Sequence, residues 1–275
     1  MAGLRELKSR LSSIETVGQL SGAMRTVSAA KYSQVGNVRS KFLAYGQACS
    51  TLMETFGPEL SEAIPQGNPD APRCYVVIAG NRGLCGGYNV ELMAYASALL
   101  GQEQEPYRLV TLGKKAESGM LEAGFQVEKA YCISDVPDFS ACSGIFSDLR
   151  QAYAAGEISS VCVIYQRFVN MLSQEPCARQ ILPMGTESGG SQREVLFLPD
   201  RQTLLQEAAL SCVDSALFSV VLEAAAGAQA ATLVAMRTAY DNAQESILAL
   251  ETQISRKRQS DITASVIETS TEVIE

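Results

Sequence analysis

The 275-residue chain contains no histidine. That absence removes Ser-His and Cys-His nucleophile pairs, histidine metal sites and histidine general bases in one step. Cysteine is present but scattered, at positions 49, 74, 85, 132, 142, 162, 177 and 212, and no two form a C-x-x-C pair. In a chain of this length without a secretory-type start, buried reduced thiols are expected rather than disulfides or a zinc site. No apolar run approaches the ~18 residues that span a bilayer. The first residues, Met1 to Lys8, lack the apolar core of a secretory signal. Glu6 and Glu15 argue against a mitochondrial presequence, so the start reads as mature protein. Asp and Glu are plentiful but fall singly on polar helix faces, and no spacing brings two carboxylates together. No cofactor and no metal site is expected.

Proline is missing from two long stretches, 4–56 and 200–275, and the second contains a single glycine, Gly227. In the second, Met236, Tyr240, Ala243, Ile247, Leu250 and Ile254 follow at steps of four, three, four, three and four. That is the 3.5-residue seam one helix presents to another. At 1.5 Å per residue a helix over this stretch is on the order of 100 Å long, far beyond the width of a compact domain. It therefore needs a partner to cover its apolar stripe. In the first stretch, Leu4, Leu7, Leu11 and Ile14 begin a matching pattern. Val17, Leu20, Met24 and Val27 continue it, and Val35, Val38, Phe42, Tyr45, Cys49, Leu52 and Phe56 complete it. This predicts a second long helix of roughly 80 Å, ending at Gly57-Pro58 in a linker that runs to Pro72. The two helices are expected to pair antiparallel, residues 1–57 with residues 200–275.

Between them, residues 73–199 have a different rhythm. Cys74–Ala79, Leu109–Leu112, Phe125–Val127, Val161–Tyr165, Cys177–Leu182 and Val195–Leu198 read as strands. Val90–Leu100, the stretch from Gly113 to Ala123, and Asp138–Ala155 read as helices, with Asp138 as a cap. A Gly/Ser-rich loop follows at Gly185–Gln192. Alternation of this kind predicts an α/β fold with a mostly parallel sheet and helices on its faces.

The net charge of −8 is uneven. Residues 1–57 carry seven Lys/Arg against three acids, 58–199 ten against sixteen, and 200–275 five against eleven. Nothing resembles a nucleic-acid footprint in so acidic a chain. The segment Gly80-Asn-Arg-Gly-Leu-Cys-Gly-Gly87 sits where phosphate loops sit, between a strand and a helix. It lacks the Gly-Lys-Ser/Thr ending of a Walker loop, and its glycines at 80, 83 and 86 miss the G-x-G-x-x-G spacing. Gly80, Gly83, Gly86 and Gly87 are read instead as a tight turn that needs positive φ and close backbone approach. Cys85 lies near a helix start, which lowers a thiol pKa, but no base accompanies it.

Val76-Val-Ile-Ala-Gly-Asn-Arg-Gly-Leu-Cys-Gly-Gly-Tyr-Asn89 resembles the signature turn of the gamma subunit of F-type ATP synthases. Thr16–Lys31 is similar to that family's N-terminal helix. Val234–Ala243 and Arg256–Thr263 are similar to its C-terminal helix, and Phe168–Gln174 with Leu182-Pro183 to a further segment. The resemblance runs from the first residues to about Ile267. It implies an antiparallel coiled coil of the long terminal helices plus a central Rossmann-like α/β domain. It also implies a non-catalytic rotor shaft that couples ion-driven c-ring rotation to conformational cycling of the catalytic beta subunits. The implied partners are the alpha3beta3 hexamer, the epsilon subunit and the c-ring, on the cytoplasmic face of the bacterial cell membrane. By motif match, Arg258, Gln259 and Thr263 fall where the C-terminal helix engages the alpha/beta ring, with Met24 and Arg25 on the facing part of the N-terminal helix. Asn81 stands where the family usually has Asp. Gly227-Ala-Gln229 and Thr232 also depart from its pattern. A coiled-coil scaffold without rotary function explains the helices but not the turn. A cofactor-dependent α/β enzyme requires a nucleotide site that the turn does not offer.

Overall fold

The computed structural model describes residues 2–65, 67–185 and 200–272. In chain order the elements are α1 (Ala2–Ala63), β1 (Arg73–Ile78), α2 (Tyr88–Gly101), β2 (Tyr107–Leu112), α3 (Lys114–Glu122), β3 (Lys129–Tyr131), α4 (Phe139–Ala154), β4 (Ser160–Phe168), β5 (Gln174–Leu182) and α5 (Arg201–Glu272). Two units are distinguished by internal contacts: residues 1–28 with 233–275, and residues 29–232.

α1 does not stop at Gly57-Pro58. Only Phe56 leaves helical backbone (φ −125°, ψ 22°), and the helix resumes with Pro58 inside it. The break puts Pro58 in the first turn of the resumed segment, where its missing N–H would have been unpaired in any case. The linker therefore begins after Ala63. α5 starts where expected: Asp200 caps it, accepting from the Thr203 backbone N–H at 3.0 Å and the Thr203 hydroxyl at 2.9 Å. By length and composition α5 is apolar enough to cross a membrane, contrary to the reading of the sequence, yet more than half of its most apolar window is buried inside the protein. Its apolarity is used in packing.

In the larger unit the sheet order is β3-β2-β1-β4-β5. β1 pairs parallel with β2 and β4, β2 pairs parallel with β3, and β5 runs antiparallel to β4. Successive side chains of β1 go to opposite faces, as the period of two requires. Cys74, Val76 and Ile78 join a core with α4, α1 and α5. Tyr75, Val77 and Ala79 join a second core with α2 and α3. Both faces are thus covered, which is why β1 reads as a continuous apolar run. Rings from three helices meet on the first face. Phe218 of α5 lies edge-on to Phe42 of α1 at 4.9 Å and to Phe139 of α4 at 5.2 Å. Nearby, the Cys212 thiol donates to the Cys49 carbonyl at 3.6 Å, and the Cys49 thiol donates to the Ser211 carbonyl at 3.8 Å.

One strand is shifted from its expected place. Phe125–Val127 is irregular and β3 forms at Lys129–Tyr131. Phe125 and Val127 do pack on the second core, so their apolarity reflects burial rather than pairing. Of the eight free cysteines, Cys132 is exposed, an exception to the expected burial. The expected strand Val195–Leu198, and the loop beyond Gly185, lie outside the described residues.

In the smaller unit the two helices run antiparallel. A Cβ at Gly18 would lie 3.3 Å from Ala243 Cβ, and one at Gly22 would lie 3.3 Å from the Tyr240 ring. On α5 the seam is the expected one, with Met236, Ala243 and Leu250 buried. On α1 it is not. Ser21 and Ser28 are buried, while Val17, Leu20 and Val27 are exposed at 53%, 58% and 47%. The inward face of α1 here is its small face, because Tyr240 and its neighbours supply the bulk from the other helix.

Candidate functional site

The strand order reverses between β1 and β4: the chain leaves β1 toward β2 on one side and reaches β4 on the other. In open α/β sheets the crevice at such a point, beyond the carboxyl ends of the strands, is where ligands bind. Here it is filled by the chain itself. Tyr88, at the start of α2, is buried, and its hydroxyl donates to the Ala224 carbonyl of α5 at 2.8 Å. Gln166, fully buried near the end of β4, donates from Nε2 to the Tyr88 carbonyl at 3.0 Å. Glu223 of α5 accepts from the Tyr165 hydroxyl and from the Phe168 backbone N–H, both at 3.1 Å.

Small residues on α5 let this happen. A Cβ at Gly227 would stand 3.2 Å from the Tyr88 ring and 3.4 Å from Gln174 Cγ. Ala228 packs with Cys85 and Tyr88, and a Cβ at Gly80 would meet Ala228 at 3.7 Å. The departures at Gly227 and Ala228 noted in the sequence thus coincide with the seat of the helix in the crevice.

The glycine turn is tied on its other side by Asn81. Its Nδ2 donates to the Ile133 carbonyl at 2.7 Å and to Asp135 Oδ1 at 2.9 Å, and its Oδ1 accepts from the Lys114 N–H at 3.3 Å. Asp135 Oδ2 is held by Lys31 Nζ of α1 at 2.5 Å. Partial burial acts to raise the Asp135 pKa, but the hydrogen bonds from Lys31 and Asn81 outweigh it and hold the carboxyl below the usual range.

The turn's conformation differs from expectation in its details. Positive φ occurs at Gly86 (60°) and at the non-glycine Leu84 (63°). At Gly83 a Cβ would meet nothing within 4 Å, and at Gly87 it would meet only the flexible Glu91 side chain. The close backbone approach is at Gly113, which the sequence did not mark. Its φ is 97°, and a Cβ there would fall 2.1 Å from the Ala79 carbonyl oxygen. Cys85 is buried, and burial raises its thiol pKa despite a hydrogen bond from Asn89. Desolvation overrides the helix-start effect, so the thiol is not activated.

The smaller unit carries the other candidate residues. Arg258, Gln259 and Thr263 lie on α5 with exposed side chains, and the Thr263 hydroxyl donates to the Gln259 carbonyl at 2.9 Å. Met24 and Arg25 lie at another level: the Arg25 guanidinium sits 4.8 Å from the centre of the Tyr240 ring. Tyr240 and Arg258 are separated by roughly 27 Å along the helix at its standard rise. The structure therefore does not bring the two groups together. Arg25 faces Tyr240, not the helix end that carries Arg258.

The family model described as ATP synthase matches residues 3–271. The ATP synthase gamma chain of Desulforamulus reducens is 30% identical over 276 residues, covering 98% of this chain and 97% of that one. The chain belongs to the ATP synthase gamma-chain family. The gamma chain of Staphylococcus carnosus is 27% identical over 280 residues, with 98% and 96% covered. Among solved structures, the rotor of the Euglena gracilis mitochondrial ATP synthase contains a chain with TM-score 0.66 and 17% identity, covering 95% of this chain and 99% of that one. A central stalk/c-ring structure of the Tetrahymena thermophila mitochondrial ATP synthase contains another, with TM-score 0.61, 19% identity and 80% and 99% covered. The α/β fold with long terminal helices is the gamma-chain fold. As a gamma chain the protein is a non-catalytic subunit of an ATP synthase, a membrane-associated complex.

Proposed function

We propose that this gamma chain is the central rotor shaft of a bacterial F-type ATP synthase. It couples ion-driven rotation of a c-ring to the sequential conformational cycling of three catalytic beta subunits. The observation that carries this reading is the match to the family over residues 3–271. The shaft is the antiparallel pair formed by 1–57 and 200–275, and residues 73–199 form the Rossmann-like domain. The shaft enters the alpha3beta3 hexamer, and the Rossmann-like domain lies against epsilon and the c-ring on the cytoplasmic face of the membrane. Arg258, Gln259 and Thr263 are the contacts of α5 with the ring. Met24 and Arg25 are contacts of α1 at a second level. The exposed apolar side chains Val17, Leu20 and Val27 support a covered α1 face in the assembled complex. The turn of Gly80, Gly83, Gly86 and Gly87 is structural, and its crevice is closed by α5. That arrangement supports a subunit that transmits force and leaves the chemistry to beta.

Affinity purification of the tagged chain from native membranes tests the reading. Recovery with stoichiometric alpha, beta and epsilon subunits is expected. Recovery of a folded chain without them overturns it.

A further inference from the structure

Cys49 of α1 and Cys212 of α5 meet inside the larger unit. Each thiol donates into the opposite helix, Cys212 to the Cys49 carbonyl at 3.6 Å and Cys49 to the Ser211 carbonyl at 3.8 Å. Each sulfur therefore lies against the helical turn that carries the other. Small side chains let the two backbones come this close. Gly46, Ser50, Ser215 and Ser219 line the same cavity as the pair, and a Cβ at Gly46 would lie 4.0 Å from Ser215 Oγ. Joining the sulfurs gives up only two thiol hydrogen bonds, which are weak. The Ser211 carbonyl keeps its bond from the Tyr45 hydroxyl, at 3.3 Å.

The two cysteines are only 5% and 4% exposed, yet both line a cavity of about 740 Å³ between α1, β5 and α5. Exposed Arg39, Leu43 and Arg179 line it as well, so it opens to solvent and gives a small reagent a route to the sulfurs. The sheet cysteines offer no such pair. Cys74 and Cys177 belong to one face of the sheet and Cys162 to the other. Cys74 on β1 and Cys177 on β5 are separated by β4, and two strand spacings are about 10 Å, beyond the reach of a disulfide.

We propose that Cys49 and Cys212 are a covalent modification site: a reversible disulfide that staples α1 to α5, made by exchange with a low-molecular-weight disulfide. The first cysteine sulfur to lose its proton attacks the reagent RSSR, forming a mixed disulfide and expelling RS⁻. The second sulfur, deprotonated in turn, attacks the mixed disulfide at the cysteine sulfur and expels a second RS⁻. The two thiol protons pass through water to the two RS⁻, so one RSSR is reduced to two RSH and one S–S bond joins the helices. Thiol reductants reverse the exchange. Burial pushes the Cys212 thiol up to about 12, so at rest this sulfur is a thiol and not a thiolate. The cysteines stand 163 positions apart in the chain, so the staple constrains a long loop of the unfolded state. The site stands on the fold of the larger unit and does not depend on the rotor reading.

Oxidised glutathione, applied to the purified full chain and to its Cys49→Ser and Cys212→Ser variants, tests this. Peptide mapping after acid quenching is expected to recover Cys49 joined to Cys212 in the parent. The melting temperature of the oxidised parent is expected to rise by at least about 5 °C and to return on reduction with dithiothreitol. Neither single variant is expected to show the cross-link or the rise. Glutathione adducts at exposed Cys132 with Cys49 and Cys212 still unjoined overturn the site. A cross-linked parent that melts no higher, or a rise that persists in both variants, overturns the staple. If a serine variant does not fold, the peptide map and the reversible melting shift of the parent decide.

Discussion

Gly113 and Gly83 separate two meanings of glycine in this chain. At Gly113 the backbone has φ 97° and a Cβ would collide with the Ala79 carbonyl at 2.1 Å. Gly113→Ala is therefore expected to destabilise the chain by at least about 2 kcal/mol in urea unfolding, whereas Gly83→Ala stays within about 0.5 kcal/mol of the parent. Charge gives a second residue-scale contrast. The Asp135 pKa is lowered in the fold, with burial opposed and outweighed by Lys31 and Asn81. Its stabilisation is complete above the ordinary carboxylate pKa of about 4 and is lost as pH falls through the lower folded value. Asp214 has the opposite sign. Burial raises its pKa, and the ion pair with Arg150 at 2.9 Å offsets only part of that. Its contribution falls as pH rises above the ordinary value. Asp135→Asn is expected to lower the melting temperature near neutral pH and to remove part of the loss seen on acidification. Equal pH slopes for variant and parent below pH ~4 would contradict this assignment.

At the scale of elements, the long helices were legible because periodicity over many turns is a strong signal. The seam of α5 at Met236, Ala243 and Leu250 is buried as its spacing implies. The α1 seam was misread between residues 17 and 27. Two stripes compete there, one of Val17, Leu20 and Val27 and one of Gly18, Ser21 and Ser28. Hydropathy favours the first, but the bulky ring of Tyr240 admits only the second. Gly18→Leu is accordingly expected to cost about 1–3 kcal/mol of stability by overpacking against Ala243. Val17→Ser and Leu20→Ser are expected to change the isolated chain by no more than about 0.5 kcal/mol, measured by chemical denaturation. The kink at Phe56 and the shift of the third strand to Lys129–Tyr131 escaped for a related reason. Proline and apolar triplets are local signals, and the neighbouring elements decided how each was used.

For the whole molecule, the decisive arrangement is the closure of the sheet's crevice by α5. The sequence showed a turn without nucleotide spacing, but not what takes the ligand's place. Gln166 and Glu223, which help build the closure, carried no motif, and Tyr88 was legible only as part of the signature turn. The only other trace was the run of small residues at Gly227-Ala228. On the proposed contacts, the exposed α5 residues Arg258 and Gln259 act in the complex and not in the isolated chain. Arg258→Ala with Gln259→Ala is expected to lower ATPase activity of the reconstituted complex about threefold or more, as loss of interface contacts does. The circular dichroism and melting of the isolated chain should be unaltered. Parent-level ATPase activity would remove those two residues from the contact set.

The presence of two long terminal helices, the alternating strands and helices between them and the family were determined by the sequence alone. Each rests on patterns repeated over tens of residues or on a specific motif. Which face of α1 turns inward, why Gly113 must be glycine, and how the glycine turn is fastened to both helices were decided by tertiary structure. Those outcomes depend on single contacts between residues far apart in the chain, such as Gly22 with Tyr240 and Lys31 with Asp135. No local pattern encodes them, because each is set by the volume and charge of a partner that only folding brings near.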